Sequence, residues 1–315
     1  MKHLTDDVVI HIASFMDAVD MLNIALTCRR FGSAVVQDLS LVEQGARQLI
    51  ECSTTLEKSW VPYKKGKTTW IGLYHELVKL RSPPSFSSIL GSGINYVNQN
   101  KYHLYLSSLR EQYRQQQIDL AKWHLNRRRN SLMNDSLVSS STISCAAIGN
   151  HVMSHGVHFV RFTMTRVEKI AFGIIRPPDD YWGGRTFADK CGFNPLDWLD
   201  MSAWSKKKKW GSSNVHCCLY NAFPGSCQWT DWKTTSETID NWNGMESALE
   251  GEIGLLLDLN EGTLAVYKNR QRLGIIKDGL SGEYCWVMSI QGASNSNAVQ
   301  IKRGFFPDSS YECIH

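Results

Sequence analysis

Residues 251–276 read Gly251-Glu252-Ile253-Gly254-Leu255-Leu256-Leu257-Asp258-Leu259-Asn260-Glu261-Gly262-Thr263-Leu264-Ala265-Val266-Tyr267-Lys268-Asn269-Arg270-Gln271-Arg272-Leu273-Gly274-Ile275-Ile276. Three apolar runs, Ile253 to Leu259, Thr263 to Tyr267 and Leu273 to Ile276, are divided by Asn260-Glu261-Gly262 and Lys268-Asn269-Arg270-Gln271. Runs this short, joined by segments of Asn and Gly that accept left-handed backbone, predict strand, tight turn, strand, tight turn, strand, an antiparallel meander. Working outward, Tyr284, Trp286, Met288 and Ile290 keep a period of two, and Val299 with Ile301 closes the pattern. Upstream, His158, Val160, Phe162 and Met164 alternate with Val157, Phe159, Arg161 and Thr163, and Ile170-Ala171-Phe172-Gly173-Ile174-Ile175 is a buried-strand run ended by Pro177-Pro178. Many short strands without intervening helices predict a β-sandwich over 145–305.

The rest of the chain bounds the answer differently. At 315 residues it is long enough for two folded units. The 34 Lys and Arg against 30 Asp and Glu leave a formal charge of +4, too little for wholesale capture of nucleic acid or an anionic membrane. Asp6 and Asp7 stand where a signal peptide needs an apolar run, and no stretch approaches the roughly 20 apolar residues of a membrane span. The expectation is a protein of the cytoplasm or the nucleus, with its nine cysteines as free thiols of a reducing compartment. His216-Cys217-Cys218 with Cys227 lacks the paired C-x-x-C spacing that brings two thiolates to one zinc, so no metal and no cofactor is expected.

The first 50 residues are helical in pattern. Val8, Ile12, Phe15 and Met16 collect on one face of a helix opened by Thr5-Asp6-Asp7. Met21, Leu22, Ile24, Ala25, Leu26 and Cys28 make a second, and Ala34 to Ile50 a third segment. So small a module is either packed on something larger or completed by a partner. Residues 51–144 read as mixed helix and linker, with a basic run Lys64-Lys65-Gly66-Lys67 and an amphipathic piece Trp70 to Val78 stopped by Pro83-Pro84. Arg127-Arg128-Arg129 with Lys122 is a solvated face or a nuclear-import signal, and 306–315 is a tail.

The 251–274 string resembles the C-terminal half of a SPRY domain, a family that reads G-D-x-I-G-V-x-L-D-x-x-x-G-x-L-x-F-Y-K-N-G-x-x-L-G. Glu252, Val266 and Arg270 depart from it, Arg270 where Gly normally takes a positive φ. Gly156 to Thr163 and Ala171 to Ile175 look like the family's earlier strands, so the resemblance covers roughly 145–305 and is weakest over 176–250. At the other end Leu4-Thr5-Asp6-Asp7-Val8, Ile12, Phe15, Asp20-Met21-Leu22 and Cys28-Arg29-Arg30-Phe31 resemble an F-box, with Thr5 in place of its proline. The two resemblances imply an α+β multidomain chain, an antiparallel SPRY-type β-sandwich behind a small F-box-like helical module at 1–50. They imply docking on the adaptor of a cullin-RING ubiquitin ligase, with Leu4, Val8, Ile12, Leu22 and Leu26 serving either that contact or the module's own core.

Catalysis finds no support in the motifs. There is no G-x-S-x-G elbow, P-loop or H-E-x-x-H, and Gly91-Ser92-Gly93 lacks the third glycine of a dinucleotide fingerprint. What stands out is tryptophan: Trp182, Trp198, Trp204, Trp210, Trp229, Trp232 and Trp242, of 11 in the chain, lie between sandwich strands. Loops of such folds carry recognition, and Trp, Tyr and Arg dominate interface hot spots. Tyr181, Trp182, Arg185, Trp204, Lys207 and Trp210 are therefore the expected target-binding residues. Trp204 and Trp210 flank four lysines and are expected outside, whereas Trp229 and Trp232 are expected in the core. The function expected is that of a non-enzymatic substrate receptor, with an interaction module lacking any ligase link as the alternative, and nucleic-acid binding through Lys206 to Lys209 a less favoured third.

Overall fold

The computed structural model describes residues 5–27, 29–32, 34–36, 39–64, 67–91, 94–106, 144–165, 169–177, 194–196, 210–233, 236–239, 242, 247–291 and 298–304. The chain forms two units, Met1–Pro83 with His155–Val157, and Pro84–Ser154 with His158–His315.

The first unit is built from α1 (Asp6–Ala13), α2 (Ala18–Thr27), α3 (Arg29–Gly32), the strands β1 (Ala34–Val36) and β2 (Leu39–Ser40), then α4 (Leu41–Glu51), α5 (Thr55–Trp60) and α6 (Trp70–Arg81). The Ala34 to Ile50 segment thus opens as a two-stranded ladder instead of a helix. Its helical part waits for Ser40, whose hydroxyl accepts from Glu43 N and caps α4. Ala13, Met21, Val42, Ala46 and Ile71 form the core, with Val9, Ile10 and Leu41 beside it. At Gly45 a Cβ would stand 2.9 Å from Ala13 Cβ, so α1 and α4 approach to backbone distance only because that position is glycine. Two caps then fix the later helices. The Glu43 carboxylate accepts from Trp70 N (2.6 Å) and Ile71 N (3.5 Å) at the start of α6, and Thr54 with Glu57 forms a capping box on α5. Arg81 closes the unit by a fork onto Glu57 (2.8 and 3.0 Å) and Ser53 Oγ (2.8 Å).

The second unit is a sandwich of β3 (Phe86–Leu90), β4 (Ile94–Val97), β5 (Asn100–Leu106), β6 (Ser144–Gly149), β7 (Val157–Met164), β8 (Ile170–Ile175), β9 (Cys217–Asn221), β10 (Cys227–Thr230), β11 (Ser236–Ile239), β12 (Gly251–Asp258), β13 (Thr263–Lys268), β14 (Gln271–Lys277), β15 (Cys285–Gln291) and β16 (Ala298–Arg303). One seven-stranded sheet runs β11-β10-β9-β8-β15-β6-β3 and the other β14-β13-β12-β7-β16-β5-β4. The meander read from sequence is β12-β13-β14, with Ile253 opposite Lys268 and Val266 opposite Gly274. Asn269 (φ 48°) and Arg270 (φ 71°) both take left-handed backbone at its second turn, as the missing glycine there required. β3 to β5 fall inside 51–144, so the sandwich begins near residue 84 and the linker reading does not hold for 84–106.

Phe162 of β7 stacks on Phe172 of β8 at 4.6 Å, which joins the two sheets and fixes the direction of β8. Phe172 faces inward, so Ala171, Gly173 and Ile175 face outward. Their register partners Cys217, Leu219, Cys285 and Val287 do the same, and all of these outward residues with side chains are buried. This sheet is therefore apolar on both faces. At Gly173 a Cβ would stand 1.9 Å from Cys218 O, so β8 needs glycine there to lie against β9.

Candidate functional site

Two regions concern function, one in each unit. In the helical unit α1 begins after Thr5, with Asp6 and Asp7 in its first turn favouring the helix dipole. Both faces of α1 are apolar. Val9, Ile10 and Ala13 are buried, while Val8 (42% exposed) and Ile12 (45%) stand in water, followed three positions on by Phe15 (79%) in the turn after the helix. On α2, Ala18 and Met21 are buried and Val19 (54%), Leu22 (48%) and Leu26 (76%) make a matching ridge. Of the five residues expected here, Leu4 lies outside the described residues. Val8, Ile12, Leu22 and Leu26 are all exposed, which takes them out of the module's core. Phe15 and Val19 extend the ridges; their positions at i+3 from Ile12 and i−3 from Leu22 were the available signal. Covering half of each of six such side chains is worth about 1 kcal/mol apiece before the costs of association.

In the sandwich unit, Tyr181, Trp182, Arg185, Trp204 and Lys207 lie outside the described residues. Trp210 is described, and it corrects the expectation: it is 1% exposed. It sits on the outward face of the β8 sheet with Trp232, whose ring meets it edge-on at 5.9 Å, and with His216 at 5.3 Å. The apolar outer face needed a cover, and the indole supplies it despite the neighbouring lysines. Trp229 and Trp232 are buried as expected of core residues. Trp229 Nε1 donates to Glu237 Oε2 at 2.7 Å and carries Lys277 Nζ 4.4 Å over its ring. Trp232 Nε1 donates to Pro195 O at 3.0 Å.

Beside Trp210 lies Arg176, fully buried at the end of β8. Its guanidinium donates to Ser281 O and Glu283 O (2.9 Å each) and to Ser213 O (3.1 Å), and stands 4.0 Å over the Tyr284 ring. Tyr284 in turn donates to Val215 O at 2.9 Å. Burial pulls the Arg176 pKa below its ordinary value, against the pull of Tyr284, whose own pKa burial raises. The cation is spent on carbonyls of two loops, 213–215 and 281–283, which it ties to β8. It is not presented to a ligand. Cys217 and Cys218, adjacent on β9, point to opposite faces and cannot share one ion. Burial raises the thiol pKa of Cys227 and Cys145 to about 12 and moves Cys217 and Cys218 upward too, so at neutral pH these thiols are protonated and pack as small apolar groups. The six cysteines described are free, and among the described residues no helix is long and apolar enough to cross a membrane.

Comparison with known proteins assigns the N-terminal region. Residues 1–42 match the family model for the F-box domain. No curated protein matches the chain. Among solved structures, the SPRY domain of human HERC1 is similar at 14% identity, over 52% of this chain and 84% of that one, with a TM-score of 0.35. The TRIM65 PSpry domain is similar at 9% identity over 71% and 93%, TM-score 0.37, and a human SPRY domain at 10% over 70% and 99%, TM-score 0.34. The chain carries, at residues 1–42, a segment that matches the F-box domain, and its second unit is an antiparallel two-sheet sandwich.

Proposed function

We propose that this protein is a non-catalytic recognition subunit of an SCF-type ubiquitin ligase, its F-box segment docking on the cullin-RING adaptor and its sandwich selecting a target protein inside the cell. The observation that carries the reading is the pair of exposed apolar ridges, Val8-Ile12-Phe15 and Val19-Leu22-Leu26, within the segment that matches the F-box. A stable helical unit has no internal reason to leave six large apolar side chains in water on two successive helices and the turn between them. A partner surface supplies one.

The test is co-purification of the adaptor and a cullin with the tagged full chain, alongside the double variant Ile12→Asp with Leu26→Asp. Both positions are exposed, so the melting temperature of the variant should match the parent within about 2–4 °C, from a stability change of at most about 0.5 kcal/mol. Recovery of adaptor should drop at least tenfold. A parent that recovers neither adaptor nor cullin, with residues 1–42 shown folded, refutes the ligase reading and leaves an interaction module without that link.

A further inference from the structure

At the end of β9 away from Trp210, three turns of the sandwich are tied into one surface. The 221–226 turn between β9 and β10 is closed by Asn221 N to Ser226 O (2.8 Å), Gly225 N to Asn221 O (3.0 Å) and Asn221 Nδ2 to Ser226 Oγ (3.0 Å). Trp242 Nε1 donates to Gly225 O at 2.7 Å, and Ala222 N to Ile170 O at 2.9 Å. The segment before β12 joins it through Ala248 N to Ala222 O (2.6 Å). The β13–β14 hairpin joins through Lys268 Nζ to Ser247 O (3.0 Å), Asn269 N to Glu252 O (2.9 Å) and Glu252 N to Asn269 Oδ1 (3.1 Å).

This well-anchored platform leaves Phe223 48% exposed and Leu249 38% exposed, one residue on from the bonded Ala222 and Ala248. Among the described residues, the exposed charges on these turns and the strand ends beside them are the cations Lys169, Arg270 and Arg272 and the anion Glu250. Glu252 is occupied by Arg161 at 3.1 Å. An aromatic ring and an aliphatic side chain held out on fixed backbone lose little entropy on contact, and flanking cations favour an approaching negative chain. We propose that this turn cluster docks an acidic segment of a partner protein bearing a bulky apolar side chain, Phe223 and Leu249 taking the apolar anchor and Arg270, Arg272 and Lys169 its flanking carboxylates. One ring beside one leucine does not make the row of stacking platforms that a single nucleic-acid strand needs, which favours a peptide. The inference deepens the target-binding half of the proposed function and rests on it.

The experiment uses the purified full chain and a synthetic peptide array in which a central Leu, Met, Phe or Trp is flanked by Asp and Glu, by Lys and Arg, or by Ser and Gly. Acidic peptides should be bound best, and binding should weaken with added salt. Phe223→Ser should weaken it at least tenfold. The double variant Arg270→Glu with Arg272→Glu, at an exposed hairpin tip, should shift preference toward the basic set, which keeps the test decisive if Phe223→Ser fails to fold. Equal binding of all three sets, no binding, or unchanged preference in the charge-reversed variant would overturn the proposal. So would a single-stranded oligonucleotide bound in preference to every peptide. Adaptor recovery measured on the same preparations separates the two failures: loss there with acidic-peptide binding intact sinks the ligase link alone, and the reverse sinks this surface alone.

Discussion

Replacing Arg176 by Met removes a buried cation while keeping an unbranched side chain in the space. Its guanidinium serves three backbone carbonyls, Ser281 O, Glu283 O and Ser213 O, and stacks on Tyr284. Losing the guanidinium's hydrogen bonds to three carbonyls costs about 1 kcal/mol each, and the desolvated cation–π contact is worth about 2 kcal/mol. Against this, the variant no longer buries a charge; the downward displacement of the Arg176 pKa by burial shows that this cost is felt, and about 2 kcal/mol of it is recovered. The balance is a destabilisation of about 3 kcal/mol, or roughly 6–12 °C in the melting temperature of a unit this size. Arg176→Lys should fall between, since an ammonium donates but has no planar face for Tyr284. Urea unfolding of the full chain, followed by tryptophan fluorescence, reads the loss directly because the Arg176 guanidinium lies 5.9 Å over the Trp210 ring. A variant within about 0.5 kcal/mol of the parent, or more stable than it, would refute the reasoning by showing that desolvation outweighs the carbonyl contacts.

Trp210→Ala should cost about 3–5 kcal/mol as a large-to-small core change; a loss below about 0.5 kcal/mol would return Trp210 to the binding surface, and urea unfolding distinguishes the two. The hydrogen bond from Arg81 is the main reason the Glu57 carboxyl is held below its ordinary range. A depressed carboxylate stabilises above its unfolded pKa, about 4.3, and that contribution disappears as pH falls through the folded value. Unfolding measured at pH 7, 5 and 3.5 should therefore show the parent losing stability over the lower part of this range, and Glu57→Gln losing less; parallel pH profiles would refute the assignment.

What the sequence made legible, and what it did not, follows from how far each feature reaches. The β12-β13-β14 meander is local, for period-two alternation and turn residues act within a few positions, and even the left-handed Arg270 was legible as a non-glycine in a glycine position. The faces of α1 were not. Val8, Ile12 and Phe15 form a good apolar stripe, but Val9, Ile10 and Ala13 form another, and only packing on α4, admitted by Gly45, decides which is buried. The Ala34 to Ile50 segment failed for a similar reason, with the start of α4 set by the single cap at Ser40.

Trp210 is the instructive miss, because the signal that would have placed it was present elsewhere. Ile170 to Ile175 is apolar at every position, and Cys217-Cys218-Leu219-Tyr220 likewise. An antiparallel strand with one wet face alternates, so a continuous run means cover on both sides. The opposite sheet covers one side; the other needs a second layer from the chain itself, and Trp210 and Trp232 belong to it. A tryptophan in the loop between two such strands is owed first to that layer, whatever charges adjoin it. Recognition residues are then better sought where no apolar face awaits cover, and Phe223 and Leu249 meet that condition: their turns are closed by backbone hydrogen bonds and their side chains still stand in water.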